Sequence, residues 1–136
     1  MTRELLTIKT TRNKQVVDIS EHLRDLLGRT QPADGLLQLS VMHTTAALTA
    51  ADLDPGTDLD MLDAFYGMLP DMDFRHPHNP EHAPDHILAA LIGPDLTIPV
   101  EKGGLMLGTW QSPVLIEFDG PRERRIAATC LSFETT

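Results

Sequence analysis

Apolar and polar residues alternate near the start of the chain, where Leu6, Ile8 and Thr10 share one side of residues 4–11. A period of two marks a half-buried strand, because successive side chains point to opposite faces. Asn13-Lys14 supplies a turn, and Gln15-Val16-Val17-Asp18-Ile19 returns as a second strand. The period then lengthens. Ser20 is placed to cap a helix, with Glu21 in its first turn, Leu23, Leu26 and Leu27 on one face, and Gly28 as its stop. A loop holding Pro32 and Gly35 leads into residues 36–42, whose Leu and Val content predicts a mostly buried strand ending at His43. The small, β-tolerant residues 44–50 predict another.

Asp54-Pro55-Gly56 is a turn signal, after which Thr57 or Asp58 caps a helix running to about Leu69. Leu59, Leu62, Phe65, Tyr66 and Leu69 form its apolar side, and Pro70 ends it. Residues 76–86 carry Pro77, Pro80 and Pro84, which predicts an ordered loop without regular structure. Pro84 also opens a short helix to Leu91, closed by Gly93-Pro94. Strand-like segments follow at residues 96–100, 105–107, 113–118 and 124–133, separated by Lys102-Gly103-Gly104 and Asp119-Gly120-Pro121. This order predicts an α+β fold, a largely antiparallel sheet or sandwich with two or three helices, as a single domain over residues 1–136.

Composition narrows the partners. A formal charge of −9 argues against a general nucleic-acid binder and against docking on anionic membranes. Arg122, Arg124 and Arg125 nevertheless form a locally basic segment. Cys130 is the only cysteine, which excludes an internal disulfide and a thiolate metal cluster and predicts a buried strand residue. Residues 1–9 lack the apolar stretch of a signal peptide, and the chain has no run of apolar residues long enough to span a membrane. A cytoplasmic location is expected.

Histidine carries the candidate chemistry. Of six histidines, His76, His78, His82 and His86 fall within residues 76–86, and His43 opens His43-Thr44-Thr45. Three neutral imidazoles converging on one point make a zinc-type site with an open position, and His43, His76 and His86 are the best three. His78 and His82 are expected to be exposed loop residues, and His22 a surface residue of the first helix. Among the acidic residues from Asp52 to Asp63 most read as helix-capping and solvating groups; Asp52, nearest His43 in sequence, is singled out as a ligand or general base. In residues 103–111, close backbone approach at glycines and the single Trp110 offer an anion cradle with a stacking ring, or a tight hairpin with a core tryptophan. Glu117 and Asp119 precede Arg122, which suits phosphate binding or cross-strand ion pairing.

These residues also carry a family resemblance. His43-Thr44-Thr45-Ala46-Ala47-Leu48-Thr49, Asp85-His86 before Gly93-Pro94, Leu107-Gly108-Thr109-Trp110-Gln111 and Glu117-Phe118-Asp119-Gly120-Pro121-Arg122 together resemble the YjbQ-like proteins over nearly the whole chain. The resemblance implies a homotrimer with a histidine-lined site and a secondary thiamine-phosphate synthase activity, joining hydroxymethylpyrimidine diphosphate to a thiazole phosphate. It further implies catalytic roles for His43, Asp52 and Glu117, and a metal, zinc or for a diphosphate substrate magnesium, on His43, His76 and His86. A small phosphorylated metabolite would be bound by Thr44, Thr45, Gly108, Thr109, Trp110, Gln111 and Arg122. Metal-assisted hydrolysis, or metabolite binding without catalysis, are the rival readings. In one departure, Ala51-Asp52 stands where the family pattern carries Asn-Glu, which shortens the carboxylate arm and removes the amide.

Overall fold

The computed structural model describes residues 1–133. Its strands are β1 (Thr2–Lys9), β2 (Gln15–Asp18), β3 (Gly35–Val41), β4 (Ala46–Ala51), β5 (Asp95–Glu101), β6 (Gly104–Leu105), β7 (Ser112–Glu117) and β8 (Glu123–Ser132). Its helices are α1 (Ser20–Thr30), α2 (Thr57–Gly67) and α3 (Ala83–Ile92), with a 3₁₀ turn at Pro80–His82 before α3. The strands form two antiparallel sheets, one ordered β1-β8-β3-β5-β6 and one ordered β2-β7-β4. The α+β class and the three helices agree with the sequence expectation.

Burial explains the patterns. β1 alternates buried with exposed residues over its second half and β3 buried with half-buried ones, because one face of the large sheet packs inward. Between the two sheets and α1 lies the main core, with Ile8, Leu23, Leu37, Leu39, Leu115 and Ile126 nearly inaccessible. The far side of the small sheet is covered by α2 and α3 through Leu62, Leu88, Val114, Ile116 and Phe118. β7 is therefore buried on both faces, which is why Val114-Leu115-Ile116 reads as a continuous apolar run rather than an alternation.

Several boundaries differ from expectation for local reasons. Ser20 is the first helical residue rather than the cap; the Asp18 carboxylate accepts from both its backbone N–H (2.9 Å) and its hydroxyl (2.5 Å). α1 runs past Gly28 to Thr30 and stops at Gln31, whose left-handed φ of 48° lets its N–H reach Leu27 O. The segment expected as one irregular loop contains the 3₁₀ turn, which leads directly into α3 and fixes where His82 points. Gly35 is required by close approach: a Cβ there would lie 1.9 Å from Leu131 O on β8.

Candidate functional site

The end of β3, the start of β8, the turn after β7 and the first turns of α3 converge at one end of the molecule. After β3, Met42 N–H donates to Arg125 O at 3.1 Å, and Arg125 N–H donates to His43 Nε2 at 2.9 Å. Because Nε2 accepts, the neutral ring carries its hydrogen on Nδ1. His43, Thr44, Thr45, His86, Asp119, Arg122 and Arg124 line an open cavity of about 710 Å³. An adjoining recess of about 410 Å³ shares His43, Thr44 and His86 and adds Ala46, Ala89, Ala90 and Pro94. A polar mouth beside an apolar pocket suits a ligand with a charged end and a ring.

The cavity carries charges of both signs, with Arg122 and Arg124 lining it together with Asp119 and Glu123. His43 is held below its ordinary pKa first by burial and then by the Arg124 charge, with Arg125 and Arg122 acting in the same direction and Glu117 opposing them. The ring is thus kept neutral chiefly by burial, and the nearby arginines are the groups that an anion beside it would meet.

Beneath the cavity lies a buried ion pair. Arg124 is 2% exposed and Glu117 fully buried. Arg124 Nε donates to both Glu117 oxygens at 2.9 and 3.1 Å, and Nη2 donates to Glu117 Oε2, to Thr45 Oγ1 at 2.8 Å and to Thr45 O at 3.2 Å. Thr10 Oγ1 donates to Glu117 Oε1 at 2.6 Å. Burial pushes the Glu117 carboxyl up, but Arg124, Thr10 and the Asp119 amide more than offset it, and it stays ionised below the usual range. With its oxygens committed in this way, Glu117 anchors Thr45 through Arg124 and supplies no free base to the cavity.

A second polar cluster borders the same cavity. His82 Nδ1 lies 3.2 Å from Asp119 Oδ2 and 3.8 Å from Asp85 Oδ2. Asp85 Oδ1 accepts from Lys14 Nζ at 2.8 Å and from the Tyr66 hydroxyl at 2.7 Å. Lys14 Nζ also donates to Phe118 O and sits over the Tyr66 ring, 4.9 Å from its centroid. Burial, then the hydrogen bond to Asp85, push the Tyr66 hydroxyl far up, so it is a permanent donor. Arg122 Nη2 holds Asp119 Oδ2 at 2.9 Å. Lys14, Tyr66, His82 and Asp85 were not expected from the sequence as a site, and the contacts of this cluster join residues up to 104 positions apart, a separation at which no local pattern operates.

The remaining expected residues scatter. His76 stacks on His86, with centroids 4.9 Å apart and ring planes 17° apart, and its Nδ1 is buried without a partner. Among the described residues, the one group of three His, Cys, Asp or Glu whose ligand atoms gather within 4.8 Å is His82, Asp85 and Asp119. The set His43, His76 and His86 does not fit a shared ion in this arrangement. Asp52 is exposed and accepts from Asp54 N–H at 2.9 Å, outside the cavity lining. Gly108, Thr109 and Gln111 line a different cavity of about 600 Å³, against Ser20, Arg24 and Gly28 of α1. It lies at the opposite end of β7, roughly 20 Å away for a strand of this length. Trp110 is 73% exposed, neither core nor cavity wall. No helix is long and apolar enough to cross a membrane among the described residues.

Known proteins share this architecture. A structure from Aeropyrum pernix, described as a hypothetical protein, superposes with a TM-score of 0.88 at 33% identity, covering 98% of this chain and all of that one (100%). A YbjQ-like protein of unknown function from Sulfolobus solfataricus gives 0.89 at 29% identity, with 97% of each chain covered. By sequence, a UPF0047 protein of Archaeoglobus fulgidus is 34% identical over 127 residues, spanning 93% of this chain and 98% of that one. The UPF0047 protein YugU of Bacillus subtilis is 34% identical over 120 residues, with 88% of this chain and 91% of that one covered. The family model described as UPF0047 protein YjbQ-like matches residues 4–132. Fold and sequence agree, and the chain belongs to the YjbQ-like UPF0047 family.

Proposed function

We propose that the cavity between β3, β8 and α3 binds a small phosphorylated metabolite and supports a thiamine-phosphate synthase type of coupling. One observation carries this reading: His43, Thr44, His86 and Arg122 share a single cavity, beside an apolar recess of ring-accommodating size. In such a coupling the pyrimidine methylene loses diphosphate as the thiazole nitrogen takes its place. Much of the protein's work is then to orient two rings and to neutralise the departing charge. The Arg122 guanidinium and the His43 Nδ1–H are the donors for that charge, and Ala46, Ala89 and Pro94 wall the ring. Thr45, fixed by the buried Arg124, sets the floor. Gly108, Thr109, Trp110 and Gln111 do not reach this cavity within one chain, so a phosphate held by them would be a second one.

We read the assembly as a homotrimer in the cytoplasm. The uncovered face of the large sheet supports self-association, since Leu5 and Leu131 are exposed on it. Light scattering near three times 15.0 kDa is the expected result, and a species at 15.0 kDa refutes it.

The enzymatic reading is tested by assaying pyrimidine–thiazole coupling in wild type, His43→Gln and Arg122→Gln. Each variant is expected to lose at least about tenfold in kcat/KM. Undiminished coupling in His43→Gln would sink the catalytic assignment. Phosphate binding without turnover would leave a metabolite-binding module.

A further inference from the structure

We infer that His82 Nδ1, Asp85 Oδ2 and Asp119 Oδ2 form a site for one divalent transition-metal ion at the rim of the histidine–arginine cavity. The three donors come from separate elements: the 3₁₀ turn, the first turn of α3 and the turn after β7. They lie within 4.8 Å of one another. Tetrahedral bonds of 2.0–2.1 Å place neighbouring ligand atoms about 3.3 Å apart. The 3.2 and 3.8 Å separations from His82 are already near that value.

An independent feature is the support behind the donors. Asp85 is 4% exposed, and its other oxygen is pinned by Lys14 and Tyr66, which leaves Oδ2 facing His82. Partners that fix the outer oxygen of a carboxylate while its inner oxygen stays free are what orient a metal ligand. One imidazole with two carboxylates selects zinc, manganese, cobalt or iron over calcium and magnesium. Three protein donors also leave an open position, and Asp119, one of the three, lines the histidine–arginine cavity.

The charge is manageable. Lys14 and Arg122 balance the two carboxylates, but the Arg122 side chain is 54% exposed and its pair with Asp119 is easily given up. An arriving cation would take Asp119 Oδ2 and turn Arg122 toward the cavity it already lines. The ion thus sits on a histidine that sequence reading discards, not on His43, His76 and His86.

The test uses cobalt(II) alone, followed by its visible spectrum and by equilibrium dialysis, and needs no turnover. Wild type is expected to bind one ion per chain. Loss of an outer-shell partner costs roughly 10–100-fold in metal affinity, so His82→Gln and Asp119→Asn are each expected to weaken binding by at least about tenfold. His43→Gln and His76→Gln are expected to match wild type. The inference is overturned if wild type takes up no cobalt, if His82→Gln binds as wild type, or if His43→Gln or His76→Gln weakens binding as much. The anion site proposed above rests on other residues and survives a wild type that takes up no cobalt or a His82→Gln that binds as wild type.

Discussion

Replacing Arg124 by Met isolates what the buried ion pair does. Arg124 is 2% exposed and Glu117 fully buried, so the variant strands a carboxylate in the core with Thr10 and the Asp119 amide as its remaining donors. Removing one partner of a buried pair costs about 3–5 kcal/mol, chiefly through the uncompensated charge. For a chain of this size that lowers Tm by roughly 10–20 °C. The pH dependence separates charge from packing. In wild type Glu117 titrates below its ordinary 4.5, so its stabilisation is present above that value and is lost as pH falls through the folded pKa. In Arg124→Met, burial is opposed only by Thr10 and the amide, the carboxyl moves up, and ionising it now destabilises the fold as pH rises. Thermal unfolding should therefore show a modest loss at pH 5 and the full loss at pH 8. Glu117→Gln combined with Arg124→Met should recover much of the pH 8 loss. An equal loss at both pH values would show that packing, not the stranded charge, sets the cost.

Other perturbations test separate parts of the account. His43 titrates below 6.5 in the fold, so its stabilisation is complete above that value and declines as pH falls toward the folded pKa; urea melts of His43→Gln should lose this slope, and an unchanged slope contradicts the environment assigned to the ring. Asp52→Ala should leave phosphate affinity within about twofold by calorimetry, because Asp52 only caps the Asp54 amide; a larger loss would return it to the site. Since Arg122 holds Asp119, cobalt and phosphate should each raise the other's affinity by about fivefold or more, and independent binding would refute that link.

How much the sequence reveals depends on range. Alternation in β1 and β3 is legible because one face of each meets the core, and the run in β7 because both faces do. His43 and His86 are chosen together from the residues alone, one at a strand end and one at the close of the proline-rich segment, and they line one cavity. What stays hidden is set by contacts distant in sequence. His82 looks like a solvated loop residue until the 3₁₀ turn aims it at Asp119, and Lys14 looks like a turn residue until it reaches Asp85, 71 positions away. Glu117 beside Arg122 suggests a catalytic carboxylate, but the ladder of β7 points it inward onto Arg124. The Gly108-Thr109-Trp110-Gln111 signature is easy to read, yet a strand's length separates it from His43, a distance that sequence spacing does not express.

The central claim is that the anion site lies with the histidines and not with the glycines. An amide NMR titration of the isotopically labelled protein with inorganic phosphate tests it directly. The account predicts saturable shifts at Thr44, His86 and Arg122, which line the cavity, and at Arg125, whose N–H donates to His43. Shifts confined to Gly104, Gly108 and Gln111 would place the anion in the cavity against α1 and contradict it.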